Sequence, residues 1–268
     1  MFLIKLGGSI ITDKGKKYAF KEDVTDRLSS EIKKANKEII LVHGAGSFGH
    51  ILAKQYSLNQ GYKNDAQLQG FSCTHAMVQQ LNSLVLTSLH DQDIAAVSLP
   101  PHALLKLDDH KPLTMDYNIF KEYLSKGFTP VTFGDVVLDE KFGFSICSGD
   151  LLMQMLAQYF KPEKALFVLD EDGLYTSNPK TDKNAQFIEK ATLDELENLT
   201  TGSNTYADVT KGMAGKIETI KNISRLGIDV VLLNGNINNR LYDTLVGRKT
   251  KNTYIYGEKD ETNRRTKT

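Results

Sequence analysis

The sequence predicts an α/β fold with a largely parallel central sheet and helices on both of its faces. Three observations carry that expectation. Short apolar runs alternate with longer segments in which apolar residues recur every three or four positions, as in strands joined by crossover helices. Four of the apolar runs end in glycine-rich or acidic turns: Gly7-Gly8-Ser9, residues 43–50, Ser148-Gly149-Asp150 and residues 170–173. The 268 residues show no fixed-period repeat and read as one large unit. Ligands of open parallel sheets sit beyond the carboxyl ends of the strands, so the four turns are candidates for one shared crevice.

Residues 2–6 (FLIKL) form a buried strand in which the single charge, Lys5, stands out. A crossover helix covers roughly 22–36, where Val24, Leu28 and Ile32 recur on a Lys/Glu-rich background. Strand 38–42 feeds the turn VHGAGSFGH (42–50). Gly44, Gly46 and Gly49 omit Cβ atoms there, so backbone N–H groups converge at a helix N-terminus, an arrangement that attracts phosphate. His43 and His50 bracket the turn, and each offers an imidazole N–H to an anionic oxygen. A helix from near Ser47 gives way to a polar segment, 57–66, read as a mobile break.

The longest helix runs from about Gln67 to His90, with Phe71, Met77, Val78, Leu81, Leu84, Val85 and Leu89 on a wide apolar face. Strand 94–99 stops at Pro100-Pro101, and helix 116–126 is closed by Gly127. Residues 128–138 are strand-like and form a hairpin with 144–147 across the loop 139–143. Ser148-Gly149-Asp150 opens a helix over 151–160, and strand 164–175 runs into an acidic turn. A loop (176–190), a short helix (192–199) and a turn-and-helix (205–227, with Met213, Ile217, Ile220 and Ile223 on one face) follow. A buried strand (228–235), a helix (239–246), an edge strand (253–257) and a frayed tail (258–268) complete the chain.

Lys+Arg and Asp+Glu both number 33, so no global charge draws the chain to nucleic acid or an anionic membrane, and any anion site is local. Two cysteines, Cys73 and Cys147, make no disulfide framework, and no CxxC or Cys/His cluster suggests structural zinc; the expected compartment is the cytoplasm. The N-terminus carries no basic leader and no apolar run reaches 18 residues, so neither secretion nor membrane spanning is expected.

Residues 44–49 match G-x-G-x-x-G, but the acid that a dinucleotide-binding turn needs about 20 positions on, after a second strand, is missing: Asp65 follows no apolar run. The phosphate loop G-x-x-x-x-G-K-[ST] is also absent. What remains is a set of phosphate-sized turns with lysines beside them: Lys5, Lys14 and Lys216. Each alone has an ordinary reading, as a snorkelling, loop or solvated helix residue. Together they point to phosphoryl transfer, which rests on alignment and charge neutralisation.

KLGGSIITDK (5–14), HGAGSFGH (43–50), SGD (148–150), DEDGLYT (170–176) and DVTKGMAGK (208–216) resemble, in this order, the motifs of the amino acid kinase superfamily, and most closely its isopentenyl phosphate kinases. The -SFGH ending separates this branch and the similar fosfomycin kinases from acetylglutamate, glutamate and uridylate kinases. The resemblance implies a three-layer αβα sandwich, with the acceptor on the N-terminal part and ATP on the C-terminal part from about residue 150. By the same resemblance Lys5, Leu6, Gly7, Gly8 and Ser9 cradle the ATP phosphates, with Gly46 completing the cradle, and Lys14 stabilises the transition state. Ala45 and Gly149 offer backbone N–H groups to the acceptor, His50 binds its phosphate, and Asp150 orients the lysines. Asp170, Tyr175, Thr176, Ser177, Asn178, Pro179, Lys180, Gly212 and Lys216 hold the nucleotide.

The implied reaction converts isopentenyl phosphate and ATP to isopentenyl diphosphate and ADP, in the mevalonate route typical of archaea. Mg2+ is carried by ATP with no assigned protein ligand, and the family's usual state is a homodimer. Phe71, Cys73, His75, Met77 and Val78 read either as a slot for the five-carbon tail or as ordinary core. Two departures from the family pattern stand out: Leu169-Asp170-Glu171-Asp172-Gly173 for the usual TDVDG, and Lys211 in place of a glycine. The rival readings are a fosfomycin kinase, a non-catalytic nucleotide-binding protein and an NAD-binding oxidoreductase.

Overall fold

The computed structural model describes residues 1–13, 15–177, 179, 181–201 and 211–258, with 198–201 and 211–214 described through their backbone alone. In chain order the elements are β1 (Phe2–Leu6), α1 (Gly8–Ile11), α2 (Glu22–Ala35), β2 (Ile39–His43), α3 (Gly46–Gln55), α4 (Ala66–His90), β3 (Ala96–Ser98) and α5 (Pro101–Leu104). There follow β4 (Leu105–Asp108), β5 (Lys111–Met115), α6 (Asn118–Ser125), β6 (Thr129–Phe133), β7 (Asp135–Asp139), β8 (Gly143–Cys147), α7 (Gly149–Phe160) and β9 (Lys164–Leu169). The C-terminal part adds β10 (Leu174–Tyr175), β11 (Phe187–Ile188), β12 (Lys190–Ala191), α8 (Leu193–Thr201), α9 (Lys211–Arg225), β13 (Asp229–Asn234), α10 (Arg240–Leu245) and β14 (Thr253–Ile255).

The main sheet has the order β12-β14-β13-β9-β1-β2-β6-β3 and is parallel from β13 to β3. At the other end β14 runs antiparallel to β13, and β12 follows β14 in parallel. Side chains alternate across the sheet, and both faces are covered, which is why the central strands are apolar at nearly every position. Leu3, Val42 and Phe167 enter one core with Leu152 and Leu156 of α7 and Ile220 of α9. Ile4, Leu41 and Leu166 enter the opposite core with Leu28 of α2, Leu81 of α4 and Leu241 of α10. The predicted αβα sandwich is therefore the observed one.

Four details differ from the sequence expectation. Residues 128–138 are two strands, because at Gly134 the chain leaves the main sheet, its N–H donating to His43 O at 3.0 Å, and enters a second sheet of order β5-β4-β7-β8. The β4–β5 hairpin of that sheet was not expected, and β5 is exposed along most of its length and carries no apolar periodicity. Residues 253–257 do not form the edge of the main sheet, since β12 lies outside β14. Segment 57–66 is packed rather than loose: Leu58 is buried and Tyr62 N–H donates to Phe142 O at 2.8 Å.

Among the described residues, no helix is long and apolar enough to cross a membrane. Glu31 of α2 is buried and accepts hydrogen bonds from Arg27 Nη1 (2.6 Å), Asn239 N (2.9 Å) and Tyr242 N (3.1 Å), tying α2 to the start of α10. Removing the carboxylate takes one acceptor from the partly buried Arg27, which keeps its bond to Gly235 O, and leaves two helix-start N–H groups without theirs. Glu31→Ala should lower the unfolding free energy by about 2–4 kcal/mol in urea titration; a loss below about 0.5 kcal/mol, the range of neutral surface substitutions, would contradict this role.

Candidate active site

Strands β1 and β2 are neighbours with Lys5 opposite Val42 and Leu6 opposite His43, so the turns that follow them lie side by side. Their backbones touch. A Cβ on Gly8 would stand 2.7 Å from Gly46 N, and one on Gly44 would stand 2.6 Å from Gly8 N, so both positions have to lack a side chain. Gly46 adds a φ of +50°, and its own Cβ would overlap the Thr12 side chain. Thr12 stitches the turns together: its hydroxyl donates to Gly8 O at 2.6 Å and accepts from Ser47 N at 3.0 Å.

These turns form one wall of a cleft of about 480 Å³ at the carboxyl ends of the central strands. Lys5 rises into it from β1, 6% exposed, with Nζ 2.6 Å from Asp150 Oδ1. Asp150 belongs to the first turn of α7, where Ser148 Oγ caps the helix by accepting from Leu151 N at 3.1 Å. The positive end of that helix meets the cleft beside Lys5, with Gly149 fitting closely: a Cβ there would lie 3.2 Å from Lys5 Cε. Burial lowers the Lys5 pKa to about 8, against the opposing pull of Asp150, and the positive charge of Lys216 pushes in the same direction as burial. Ser9 Oγ donates to Asp170 Oδ1 at 3.0 Å, and Lys21 Nζ donates to Ser9 O at 2.9 Å, fixing the first turn against the acidic one. Next to it, Asp172 is held by Arg240 (2.5 Å) and Lys251 (2.6 Å).

The far end of the cleft is apolar, walled by Ile51 and Ala53 of α3, Thr74 and Val78 of α4, Val136 of β7, and Ile146 and Cys147 of β8. Cys147 is fully enclosed, and burial pushes its thiol well above the usual range. The cavity thus joins a basic, N–H-lined end to a short apolar end. This suits a small phosphorylated molecule with a hydrocarbon tail.

Ten residues singled out from the sequence line this one cleft: Lys5, Gly7, Gly8, Ser9, Ala45, Gly46, His50, Gly149, Asp150 and Lys216. Leu6 lies buried behind the turn, its carbonyl accepting from Gly44 N at 3.0 Å, and Asp170 reaches the site through Ser9. Tyr175, Thr176 and Ser177 stand off the cleft in the β10–β11 hairpin, where Tyr175 packs edge-on against Phe187 and Thr176 N bonds Gln186 O at 2.9 Å; Pro179 is exposed. Lys14, Asn178 and Lys180 lie outside the described residues, and Gly212 is described only as backbone within α9.

His43 is a correction. As the last residue of β2 it points into the interior, stacks on Phe133 with ring centroids 5.1 Å apart, and sets Nε2 3.3 Å from Asn82 Oδ1. Burial lowers its pKa to about 4, so it is neutral and takes no anion. Of the two readings of the α4 stripe, core holds for most of it: Val78 reaches the cleft, whereas Phe71 and Met77 pack against buried clusters and, with Cys73 and His75, do not line it. Thr74, one helical turn before Val78, was missed, as were Val136 and Ile146 from the unexpected second sheet.

Because the low Lys5 pKa reflects burial against Asp150, Asp150→Asn should move it below about 8. Between that value and the ordinary lysine pKa the unfolded chain binds more protons, so the Lys5 contribution to stability rises with pH in this window. An NMR titration of the lysine side chains tests this; a Lys5 pKa near 10.5, unchanged by the substitution, would contradict it.

Residues 1–234 match the model of the amino acid kinase family. The isopentenyl phosphate kinase of Methanothermobacter thermautotrophicus is 36% identical over 267 residues, covering 96% of this chain and all of that protein. That of Methanocaldococcus jannaschii is 36% identical over 256 residues, covering 91% of this chain and 95% of that protein. Among solved structures, one of an isopentenyl phosphate kinase superposes with a TM-score of 0.84 at 33% identity, covering 95% of this chain and 99% of the other.

Proposed function

Because the chain belongs to the amino acid kinase family, and its full-length relatives are isopentenyl phosphate kinases, we propose that its cleft transfers the γ-phosphoryl group of ATP to isopentenyl phosphate, giving isopentenyl diphosphate and ADP. The observation that carries the proposal is the two-ended cleft, with Lys5 between two touching glycine turns at one end and Val78, Val136 and Ile146 at the other. The basic end suits phosphates. The apolar end suits a hydrocarbon tail.

In this reading Lys5 and the N–H groups of Gly8, Ser9 and Gly46 hold the ATP phosphates, Gly7 shapes the turn while its own N–H donates to Val168 O, and Asp150 keeps Lys5 aimed at them. Asp170 holds Ser9 in place, while Lys216 and Gly212 act from the nucleotide side. His50 and the N–H groups of Ala45 and Gly149 orient the acceptor phosphate. That phosphate is already anionic near neutral pH, so in-line transfer needs no strong base. Charge neutralisation by Lys5 and Lys14 lowers the barrier. Two carboxylates stand at the phosphate end, Asp150, paired with Lys5, and Asp170, bonded to Ser9. Such a set fits a Mg2+ ion held mainly by ATP oxygens and water, with these residues at its margin. The whole chain acts as one kinase domain, with the acceptor on the N-terminal part and the nucleotide on the part from about residue 150, and it works as a cytoplasmic homodimer.

ADP release with Mg-ATP and isopentenyl phosphate, beside dimethylallyl phosphate, fosfomycin and no acceptor, tests the reading, with the product identified by mass. Turnover is expected with isopentenyl phosphate. Turnover with fosfomycin alone would replace the acceptor, and silence with every acceptor would overturn catalysis. His50→Ala should raise the acceptor KM at least about tenfold with a smaller effect on the ATP KM, and Lys14→Ala should lower kcat by about 100-fold or more; unchanged constants would reject these roles.

A further inference from the structure

Beside the apolar end of the cleft, three elements bring together a second donor set to which the phosphoryl transfer assigns no step. His75 comes from α4, His102 from α5 and Asp135 from the start of β7, and one ligand atom from each lies within 4.8 Å of the others. The Asp135 side chain is fully enclosed, with Oδ2 2.7 Å from His75 Nδ1 and 3.6 Å from His102 Nδ1. The second distance is too long for a hydrogen bond, and His102 Nδ1 is buried with no hydrogen-bond partner among the described residues. The two imidazoles meet at a centroid distance of 4.0 Å.

We propose that His75, His102 and Asp135 form a binding site for a divalent transition metal of the zinc class, which joins α4, α5 and β7 behind the acceptor end of the cleft. Two imidazoles and one carboxylate, with a fourth position left for water, are a donor set that zinc accepts. Metal bonds of about 2.0–2.2 Å in a tetrahedron set ligand atoms roughly 3.3–3.5 Å apart. The His102–Asp135 separation of 3.6 Å is close to that spacing, and the His75–Asp135 pair at 2.7 Å has to open slightly. His102, with a third of its side chain exposed, has room to turn inward and leaves the ion a way in.

Outer contacts already aim the ligands. Val136 N donates to Asp135 Oδ1 at 2.8 Å, leaving Oδ2 for the ion, and the Gln79 amide lies 3.4 Å from His75 Nε2. Imidazole donors disfavour Mg2+, so the site is distinct from the ATP-bound ion. Asp135 itself lines the cleft, as do Thr74 and Val136, the sequence neighbours of His75 and Asp135, so a bound ion would pin that wall.

The test uses the full chain, stripped with a chelator and titrated with Zn2+ against a chromophoric chelator, and with Co2+ by visible absorption. One ion per chain is expected, undisplaced by millimolar Mg2+, with Co2+ bands typical of low coordination number. His75→Gln and His102→Ala should each weaken Zn2+ binding by at least about 100-fold, at or beyond the loss seen for outer-shell changes. His90→Ala, remote from the set, should leave it unchanged. Zn2+ should also raise the Tm of the unaltered chain by mass action. As a check that needs no variant, Zn2+ should protect His75 and His102, but not His90, from diethyl pyrocarbonate as read by peptide mass. Absence of a stoichiometric ion, binding undiminished in either variant, or no protection of the two histidines would overturn the proposal.

Discussion

The contact between two backbones, Gly8 against Gly44 and Gly46, is the constraint on which the rest of the site depends. It exists because β1 and β2 are parallel neighbours and release their turns at the same level of the sheet. With no Cβ between them, the turns approach closely enough for Thr12 to bond both, and residues of both line one volume. Helix α3 starts from the second turn, and α7 is brought to the same place from the far side by Gly149, which packs against the Lys5 side chain. One close approach therefore sets the distance between the two ends of the cleft.

Electrostatics then divides the labour among residues that look alike. Lys5 sits inside an apolar strand, and its burial costs free energy that Asp150 only partly offsets, which leaves the amine short of negative partners. In the proposed reaction a phosphate would complete the arrangement. His43 and His50 belong to one motif yet differ in fate: the first is directed by its strand into the core and stays neutral, whereas the second lies on an exposed face of α3 at the cleft mouth. Position in the element, more than residue type, decides which imidazole reaches the cleft.

Much of this was legible in the sequence because it is local. Apolar runs of strand length, glycines directly after them and a lone lysine within one of them announce a parallel sheet with an anion site at its edge. The parts that were not legible depend on contacts between distant segments. Gly134 carries no sign that the chain changes sheets there, and β5 is too polar to read as a strand. The cleft-facing stripe of α4 is Thr74 and Val78, a phase set by the tight packing of Gly49 on Val78 and not by which residues are most apolar. His75, His102 and Asp135 are scattered along the chain and meet only after α4, α5 and β7 have packed. Tyr175, Thr176 and Ser177, which the motif resemblance assigns to the nucleotide, lie in the β10–β11 hairpin and do not line this cleft.

The coupling of the two turns is tested most directly by titration calorimetry of Gly8→Ala with a non-hydrolysable ATP analogue and, separately, with isopentenyl phosphate. Gly8 belongs to the turn assigned to ATP, but its added Cβ has to push the acceptor turn away through Gly46 N. If the backbone contact sets both subsites, a folded Gly8→Ala chain loses affinity for both ligands, by at least about tenfold, or 1.4 kcal/mol, each. Loss of the nucleotide with acceptor affinity intact would mean that the turns act independently, and would contradict the account.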